Sequence, residues 1–371
     1  MSSQRPDQSG FQRLLLSLHI DAMLLTLILI VLGLGLFVLY SASGESSAAV
    51  TSQVKRIGVG LVVMMALAQV NPDTFRAFAP WLYALGLCLL VLVLLLGDTA
   101  KGAQRWLDLG VIRFQPSELM KLAVPMVLAG FMHSRTLPPK LRTMGAGALM
   151  IAVPAALIMR QPDLGTALMI AISGAFVLYM AGLRWRVILG LVLAAAAALP
   201  LLWSQMHDYQ RERVLTFLNP ARDPGGAGYH ITQSKVAIGS GGLFGKGWLN
   251  GTQAQLDFLP ESATDFIFAV YAEEVGLLGV LFLLALYLAI IGRGLFISVK
   301  GQDSFQRLLA GSLSLVFFFY VFVNIGMVIG LLPVVGVPLP LISWGGTSMV
   351  SLLAGMGVLM SIHTHRRLLS S

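Results

Sequence analysis

Long apolar runs recur along this chain, and they constrain its fold more than any other feature. A helix needs about 20 largely apolar residues to cross a hydrocarbon core about 30 Å thick. Only 11% of the residues are charged and 57% are hydrophobic, whereas a soluble domain carries about 25% charged residues. The sequence therefore predicts an all-α, polytopic membrane protein with about ten transmembrane helices. These spans lie near residues 22–42, 55–70, 79–97, 117–133, 144–159, 164–182, 186–205, 266–292, 308–331 and 346–363.

The basic residues of the short loops predict how the helices are oriented. Ten spans place both termini on one side of the membrane. If that side is the cytoplasm, the short inner segments carry 13 Lys and Arg residues and the short outer segments carry 6. Basic residues concentrate in cytoplasmic loops, so we expect both termini inside. The net charge of +8 is spread over many loops without a dense basic run, so nucleic acid is not predicted as a partner.

Two outer segments interrupt the regular alternation of spans and short loops. Residues 206–264, between the seventh and eighth predicted helices, are rich in glycine and charge and form a large extracytoplasmic loop. Residues 330–348, "GLLPVVGVPLPLISWGGTS", lie between the ninth and tenth predicted helices and contain three prolines. This stretch is too interrupted for a helix and too apolar for a solvated loop, which favours a re-entrant-like loop packed within the protein. We expect residues 1–371 to form a single integral membrane domain.

A glycine-rich stretch in the large loop, "GSGGLFGKG" at 239–247, resembles a phosphate-binding loop only in part. Ser240 stands where the P-loop pattern requires glycine, and Gly247 stands where it requires serine or threonine. Nucleotide binding is therefore not predicted. Two interpretations remain: Lys246 and nearby backbone amides bind a phosphate, or the stretch is a flexible surface turn.

Carboxylates cluster in "LPESATDFIFAVYAEEVG", residues 259–276. The spacing from Ser262 to Asp265 before an apolar run is that of a capping box, which would make Asp265 the third residue of a helix. A carboxylate at an outer helix end can cap the helix and also take part in chemistry. Glu273 and Glu274 are adjacent and point in different directions, so we expect Glu274 to pair with another helix.

Ionisable residues also occur in or beside the fourth and sixth predicted spans. Glu118 and Lys121 are three residues apart, which places them on one face of a helix. They either form an ion pair that fixes helix packing or mark a functional path through the membrane. Asp163 follows a proline at the start of a span, where helix capping is the favoured interpretation. Arg105 and Arg113 belong to a basic outer loop that runs against the topology trend and suits an anion.

Several long motifs resemble those of the SEDS family (shape, elongation, division and sporulation), from about residue 20 to the end of the chain. They include "KGAQRWLDLGVIRFQPSELMKLAVP", "QPDLGTAL", "GAGYHITQSK", "LPVVGVPLPLISWGGTS" and "SIHTHRR". Of these, "DLGVIRFQPSE" and "SIHTHRR" favour the elongation branch of the family over its division branch. Two positions depart from the usual pattern: Ala263 replaces a histidine, and Trp344 replaces a tyrosine.

The resemblance implies a glycosyltransferase that polymerises lipid II into peptidoglycan on the outer face of the bacterial inner membrane. It implies a class B penicillin-binding protein, a transpeptidase, as partner within the elongation machinery. The family's invariant acidic residue of the large loop matches Asp265, and its charged residues of the fourth span match Glu118 and Lys121. For Asp265, general-base catalysis is the primary hypothesis, and binding of a divalent cation such as Mg²⁺ or Mn²⁺ is the alternative.

Further candidates for the substrate site are basic groups that could stabilise a pyrophosphate leaving group. These are Arg105, Arg113, Arg211, Arg213 and Lys246, with Asp163 as an additional acidic candidate. Two other functions fit the same features. A flippase for lipid-linked sugars would share the spans and charges, and a non-catalytic scaffold would position a penicillin-binding protein.

Overall fold

The structure of the chain, a computed structural model, describes residues 19–100, 103–108, 113–183, 185–187, 189–190, 193, 197, 203–204, 208–219, 223, 226–256, 258–259 and 261–365. Nine of its helices match nine of the ten predicted spans. They are α1 (Ala22–Ala42), α2 (Ser47–Ala68), α3 (Pro72–Leu96), α4 (Pro116–His133), α5 (Leu141–Met159), α6 (Leu164–Met180), α10 (Ile267–Val299), α11 (Ser304–Val328) and α12 (Thr347–Thr364). The seventh predicted span, 186–205, lies largely outside the described residues.

Seven of these helices, α1, α2, α3, α5, α10, α11 and α12, are long and apolar enough to cross a membrane. Of the remaining two, α6 is shorter, with 17 residues, and α4 has 18 residues but includes the charged residues Glu118 and Lys121. The chain is thus a multi-pass membrane protein, as predicted. Local signals start several helices; for example, the Asp21 side chain accepts a hydrogen bond from Leu24 N (3.1 Å), and Pro72 begins α3 after the cap Asn71.

Helices α4, α11 and α12 are the most buried of these helices, with more than half of the residues of each in the protein interior. Helix α11 packs against α10, α6 and α4, and α12 packs against α2. Small residues allow helix backbones to approach closely in a membrane. At Gly357 of α12, a Cβ atom would lie 2.4 Å from Met64 O of α2, so the α2–α12 contact requires glycine. In contrast, α2 and α3 expose large apolar side chains such as Val62 and Trp81.

The connections before α4 and between α6 and α10 contain structure that hydropathy did not predict. A small antiparallel sheet precedes α4, with strands β1 (Asp98–Ala100), β2 (Ala103–Asp108) and β3 (Arg113–Phe114) in that order. The large loop contains α7 (Asp208–Leu218), α8 (Ala227–Ser240) and α9 (Thr252–Gln255).

The proline-rich stretch from Gly330 to Gly346, called the Pro-rich loop below, contains no helix or strand. Its side chains Val337, Leu339 and Ile342 are buried. This confirms the predicted irregular loop packed within the protein.

Candidate active site

Asp265 lies in a turn just before α10, and this turn is joined to the Pro-rich loop. Asn324, fully buried in α11, donates from Nδ2 to Asp265 O (3.0 Å) and to Val337 O (2.8 Å). Ser343 Oγ donates to Thr264 O (2.6 Å). Because Val337 and Ser343 belong to the Pro-rich loop, the turn and the loop form one packed unit, and the Asp265 side chain is partly exposed at its surface.

Gly336 brings the Pro-rich loop close to the Asp265 carboxylate. Its φ of +74° lies in the left-handed region, which glycine adopts without steric cost. A Cβ atom at this position would lie 3.5 Å from Asp265 Oδ2. Any larger residue there would therefore be strained and would contact the carboxylate.

The predicted capping box at Ser262 and Asp265 is wrong. Helix α10 begins at Ile267 with Phe266 as its cap residue, and no side chain caps it, so Asp265 precedes the helix. Glu261 adopts φ +56° and its carbonyl accepts from Thr264 N and Phe266 N, which holds the chain in a turn. Ser262 Oγ instead donates to Ala42 O of α1 (2.9 Å). A tertiary contact thus replaces the local cap.

Glu118 and Lys121 form the predicted ion pair within α4. Lys121 Nζ lies 2.7 Å from Glu118 Oε1, and the two side chains are only 11% and 7% exposed. Ser351 Oγ of α12 donates to Glu118 Oε2 (2.6 Å). Lys121 Nζ also lies 5.3 Å from the ring centroid of Tyr320 in α11, within the range of a cation–π contact. Three helices therefore converge on this pair.

A cavity opens beside the ion pair between α4, α11 and α12. Lys121, Tyr320 and Ser351 supply its polar lining, and aliphatic and aromatic side chains of the same helices supply the rest. The Tyr320 hydroxyl is buried between these helices and interacts with Lys121. An apolar cavity with a few polar groups at one place is the usual form of a ligand site.

Helix α11 links this cavity to the Asp265 turn. Tyr320, which contacts Lys121, and Asn324, which binds the backbone of Asp265, are four residues apart. Residues at this spacing share one helix face at about 6 Å. Contacts from one face of α11 therefore reach both the buried Lys121 and the backbone of the Asp265 turn.

Asp163 caps α6, as the sequence favoured: its Oδ1 accepts from Thr166 N (3.2 Å). It also gathers groups from two other elements. Gln115 Nε2 donates to Asp163 Oδ2 (3.3 Å), and Arg105 Nε of β2 lies 3.7 Å from the same oxygen. Arg105 additionally donates from Nη2 to Pro162 O. Asp163 and Arg105 thus hold the small sheet against the start of α6.

The remaining arginines predicted for the substrate site are Arg113, Arg211 and Arg213. Arg211 donates to two backbone carbonyls, Trp203 O (3.0 Å) and Ser204 O (2.7 Å). The side chains of Arg113 and Arg213 lie outside the described part of the structure. The contacts above do not bring Arg211 to the ion pair of α4 or to the Asp265 turn.

Helix α10 is broken at Gly276, which has φ +70° and ψ −170°. The two N–H groups after the break donate to the glycine-rich stretch, and the two carbonyls before it accept from that stretch. The bonds are Leu277 N to Gly242 O (2.9 Å), Leu278 N to Leu243 O (3.2 Å), Lys246 N to Glu273 O (3.0 Å) and Gly247 N to Glu274 O (3.0 Å). The glycine-rich stretch therefore replaces the missing helix bonds, which a flexible surface turn would not do.

The side chains of Glu273 and Glu274 add further contacts between α10 and its neighbours. Lys246 Nζ lies 2.7 Å from Glu273 Oε1, and Glu273 is fully buried. Glu274 accepts from Ser41 Oγ of α1 and from Leu249 N, which confirms its predicted pairing with another helix. The Lys246 ammonium, predicted as a phosphate ligand, is thus engaged by a carboxylate of α10.

His230 of α8 lies beside the Asp265 turn, where its ring stacks on Phe266 with centroids 5.7 Å apart. Burial lowers the pKa of His230, although the negative charges of Glu261 and Asp223 oppose this effect. A neutral imidazole is therefore favoured next to the turn.

Sequence reasoning missed several residues of this site. Asn324 is a lone amide inside an apolar span, a signal that was available because polar groups in membrane helices often have a role. Ser343 and Ser351 carried no such signal, because serine is common in loops and helices. Among the described residues, no three His, Cys, Asp or Glu side chains gather in a way that could hold a metal ion.

Comparison with known proteins identifies the family. The family model for FtsW, RodA and SpoVE, described as cell cycle protein, matches residues 21–368. A relative from Escherichia coli (strain K12), named peptidoglycan glycosyltransferase MrdB, is 54% identical over 95% of each chain. The chain belongs to the FtsW/RodA/SpoVE family, which confirms the resemblance found in the sequence.

Solved structures agree with this assignment. One, described as structural coordination of polymerization and crosslinking by a peptidoglycan synthase complex, matches with a TM-score of 0.83 and 32% identity over 94% of this chain and 99% of that chain. The Rod shape determining protein RodA of Thermus thermophilus matches with a TM-score of 0.71 and 30% identity over 92% and 96%. The second match agrees with the expected elongation branch.

Proposed function

We propose that this protein is a peptidoglycan glycosyltransferase that polymerises lipid II into glycan strands during cell elongation. The 54% identical relative bears that activity in its name. The observation that carries the proposal is the shared face of α11, where Tyr320 contacts the buried cation Lys121 and Asn324 holds the Asp265 turn. A largely apolar cavity that contains the Lys121 cation, with the Asp265 turn held one helical turn further along α11, suits a lipid-linked, anionic sugar donor.

The reaction joins an acceptor sugar hydroxyl to the anomeric carbon of the donor. Asp265 accepts the hydroxyl proton as general base while the new carbon–oxygen bond forms. The bond between the anomeric carbon and the lipid pyrophosphate breaks, and the pyrophosphate leaves with the bonding electrons. Direct displacement inverts the anomeric centre and requires no covalent enzyme intermediate.

Positive groups stabilise the leaving pyrophosphate. Lys121 lines the cavity, and Glu118 and Ser351 hold it in place. The apolar walls from α4, α11 and α12 suit the adjoining lipid. Further candidates for contacts with the charged part of the substrate are Arg105, Arg113, Arg211 and Arg213. Asp163 contributes indirectly, by holding Arg105 in place.

A divalent cation such as Mg²⁺ or Mn²⁺ is the alternative partner of Asp265. Among the described residues, no three His, Cys, Asp or Glu side chains lie close enough together to hold a metal ion. The protein would therefore contribute the Asp265 carboxylate, and oxygen atoms of the substrate would supply the other ligands, since these ions prefer oxygen. When bound, such an ion would offset pyrophosphate charge. The general-base role needs only the side chain itself.

The orientation and partners belong to the same proposal. The distribution of basic loops supports cytoplasmic termini and an active site that faces the periplasm from the inner membrane. One matched structure is described as a complex that coordinates polymerization and crosslinking. We therefore propose a class B penicillin-binding protein as the crosslinking partner, within the elongation machinery, and a single catalytic membrane domain in this chain.

Purified full-length protein supplied with lipid II tests the proposal. Asp265→Asn should reduce the rate of glycan polymerisation by about 10²- to 10⁴-fold, the usual contribution of a general base. Glu261→Gln, which removes an exposed carboxylate of the same turn, is the matched control and should retain polymerisation. Polymer length on gels and the rate of lipid II consumption are the measurements.

The other two functions predict different results. A flippase would move lipid II across vesicle membranes without making polymer. A scaffold would make no polymer alone and would support a partner enzyme equally well with Asp265→Asn. Normal polymerisation by Asp265→Ala would refute the assigned role of Asp265.

A further inference from the structure

Arg56 of α2 is a partly buried cation that lies against the Pro-rich loop. Within the described parts of the chain, its guanidinium makes no ion pair and no hydrogen bond. Its Cζ atom lies 5.1 Å from the centroid of the Trp344 ring in the Pro-rich loop. This cation–π contact orients the group and leaves its N–H donors available.

The surroundings fix Arg56 close to the Asp265 turn. Gln53, one helical turn earlier on α2 and 1% exposed, donates from Nε2 to Ser343 O (3.2 Å). The next residue of the loop, Trp344, donates from its backbone N to Ala263 O (2.9 Å). Helix α2 thus contacts two successive loop residues, Ser343 through Gln53 and Trp344 through Arg56. Trp344 in turn binds the segment that carries the proposed base. The two departures from the family pattern, Ala263 and Trp344, are in direct contact.

The guanidinium also lies against the start of α12. A Cβ atom at Gly346, the cap residue of this 18-residue helix, would lie 3.7 Å from Arg56 Nε. No side chain caps the helix, and its start carries partial positive charge. The Ser348 hydroxyl in its first turn is buried and has no hydrogen-bond partner among the described residues. A guanidinium, a helix start and a free hydroxyl together favour an anion.

We propose that Arg56, oriented by Trp344, binds a phosphate of the lipid-linked pyrophosphate donor. This inference rests on the proposed function and adds a residue to its substrate site. Arginine suits the role because its planar fork can donate two parallel hydrogen bonds to phosphate oxygens. The phosphate of a bulk anionic phospholipid has the same chemistry, and the test must separate the two sources.

The test measures polymerisation kinetics of the full-length protein with lipid II in a neutral, phospholipid-free detergent. Arg56→Gln should raise the KM for lipid II by about tenfold or more, the usual effect of losing a charge-assisted hydrogen bond, while kcat changes much less. Arg56→Lys should lie between wild type and Arg56→Gln. Lys55→Gln, which changes the exposed neighbouring cation, is the control and should leave KM unaltered.

A second pair of variants tests the orienting role of the ring and does not remove the charge. Trp344→Leu should raise KM by a smaller factor, and Trp344→Phe should restore it by keeping an aromatic face. If Arg56→Gln fails to fold, as judged by its thermal unfolding, this pair and Arg56→Lys decide the question. Identical KM values for wild type, Arg56→Lys and Trp344→Leu would overturn the proposal.

Two controls separate the possible failures. If wild type makes polymer and Arg56→Gln has the same KM as Lys55→Gln, the inference fails and the proposed function stands. If wild type makes no polymer, the proposed function fails first. An effect of Arg56→Gln that is seen only in phosphatidylglycerol vesicles, and is absent in detergent and in phosphatidylcholine vesicles, would assign Arg56 to bulk lipid and overturn the proposal.

Discussion

Two ion pairs of equal length, each with a buried carboxylate, have different roles in this protein. Glu118–Lys121 and Glu273–Lys246 both have a nitrogen–oxygen distance of 2.7 Å. The first joins neighbouring turns of one helix, and the second joins the broken helix α10 to a loop 27 residues earlier in the chain.

The difference lies in what else each carboxylate binds. Glu273 Oε1 also accepts from Thr252 N (2.9 Å), Thr252 Oγ1 (3.0 Å) and Ser240 Oγ (3.3 Å), and Glu273 is fully buried. Glu118 has Lys121 and Ser351 as described partners, and Lys121 faces a cavity. A carboxylate whose acceptor positions are filled by the protein holds the fold, whereas a pair beside a cavity can share its charge with a substrate.

Removing the charge of Glu273 should have the largest effect on stability. Glu273→Gln leaves Lys246 without its counter-ion and weakens several hydrogen bonds, so we expect a loss of about 3 to 5 kcal/mol in the free energy of unfolding. The measurement is denaturant or SDS unfolding of the purified protein in detergent. Glu45→Gln, at an exposed loop position, is the matched control, and equal losses in both variants would contradict the comparison.

A third carboxylate extends the comparison to the start of α1. Asp21 is 3% exposed and lies 2.8 Å from Arg293 Nη2 and 3.0 Å from His363 Nδ1. Burial by itself raises the pKa of Asp21, but hydrogen bonds from His363 and Arg293 outweigh it and lower the pKa from 3.8 to about 2. Like Glu273, this carboxylate is held by the protein's own donors.

The pH dependence of unfolding checks this interpretation of Asp21. Because its pKa is lower in the folded state, the stabilisation is complete above pH 3.8 and is lost as the pH falls toward 2. At one unit of pKa per 1.36 kcal/mol, it amounts to about 2 kcal/mol. The difference in unfolding free energy between wild type and Asp21→Asn should shrink over this range, and a constant difference would contradict the assignment.

Exchanging the charges of Glu118 and Lys121 should have the smallest net effect on stability. Each single reversal, Glu118→Lys or Lys121→Glu, places two like charges together in a buried position and should destabilise the fold. The double variant restores an ion pair and should recover about 1 to 2 kcal/mol of either loss. Thermal unfolding of the three variants measures the recovery.

The activity of the same double variant distinguishes a substrate role of Lys121 from a structural one. If Lys121 meets the substrate, polymerisation should stay low even where stability recovers, because the cation no longer faces the cavity in the same place. Recovery of activity together with stability would make this pair structural, like Glu273–Lys246. Absence of any recovery in stability would instead indicate separate roles for the two residues.

Local features of the site were predictable because they depend on spacing along one helix. Glu118 and Lys121 are three residues apart on an unbroken helix, so their contact follows from helix geometry. Asp163 caps α6 within its own turn. The capping box at Asp265 failed although its spacing was correct, because Ser262 binds α1 and Glu261 turns the chain. Long-range partners outweighed a local preference.

The apolar runs alone are enough to predict the class of protein and the course of its spans, because long apolar runs are stable only where lipid or protein replaces water. The motifs that extend over most of the chain also predict the family. Which charges hold the fold and which line the cavity becomes clear only from the three-dimensional contacts. The partners of Asp265, Glu273 and Arg56 come from segments far apart in sequence, and periodicity carries no information about contacts between distant segments.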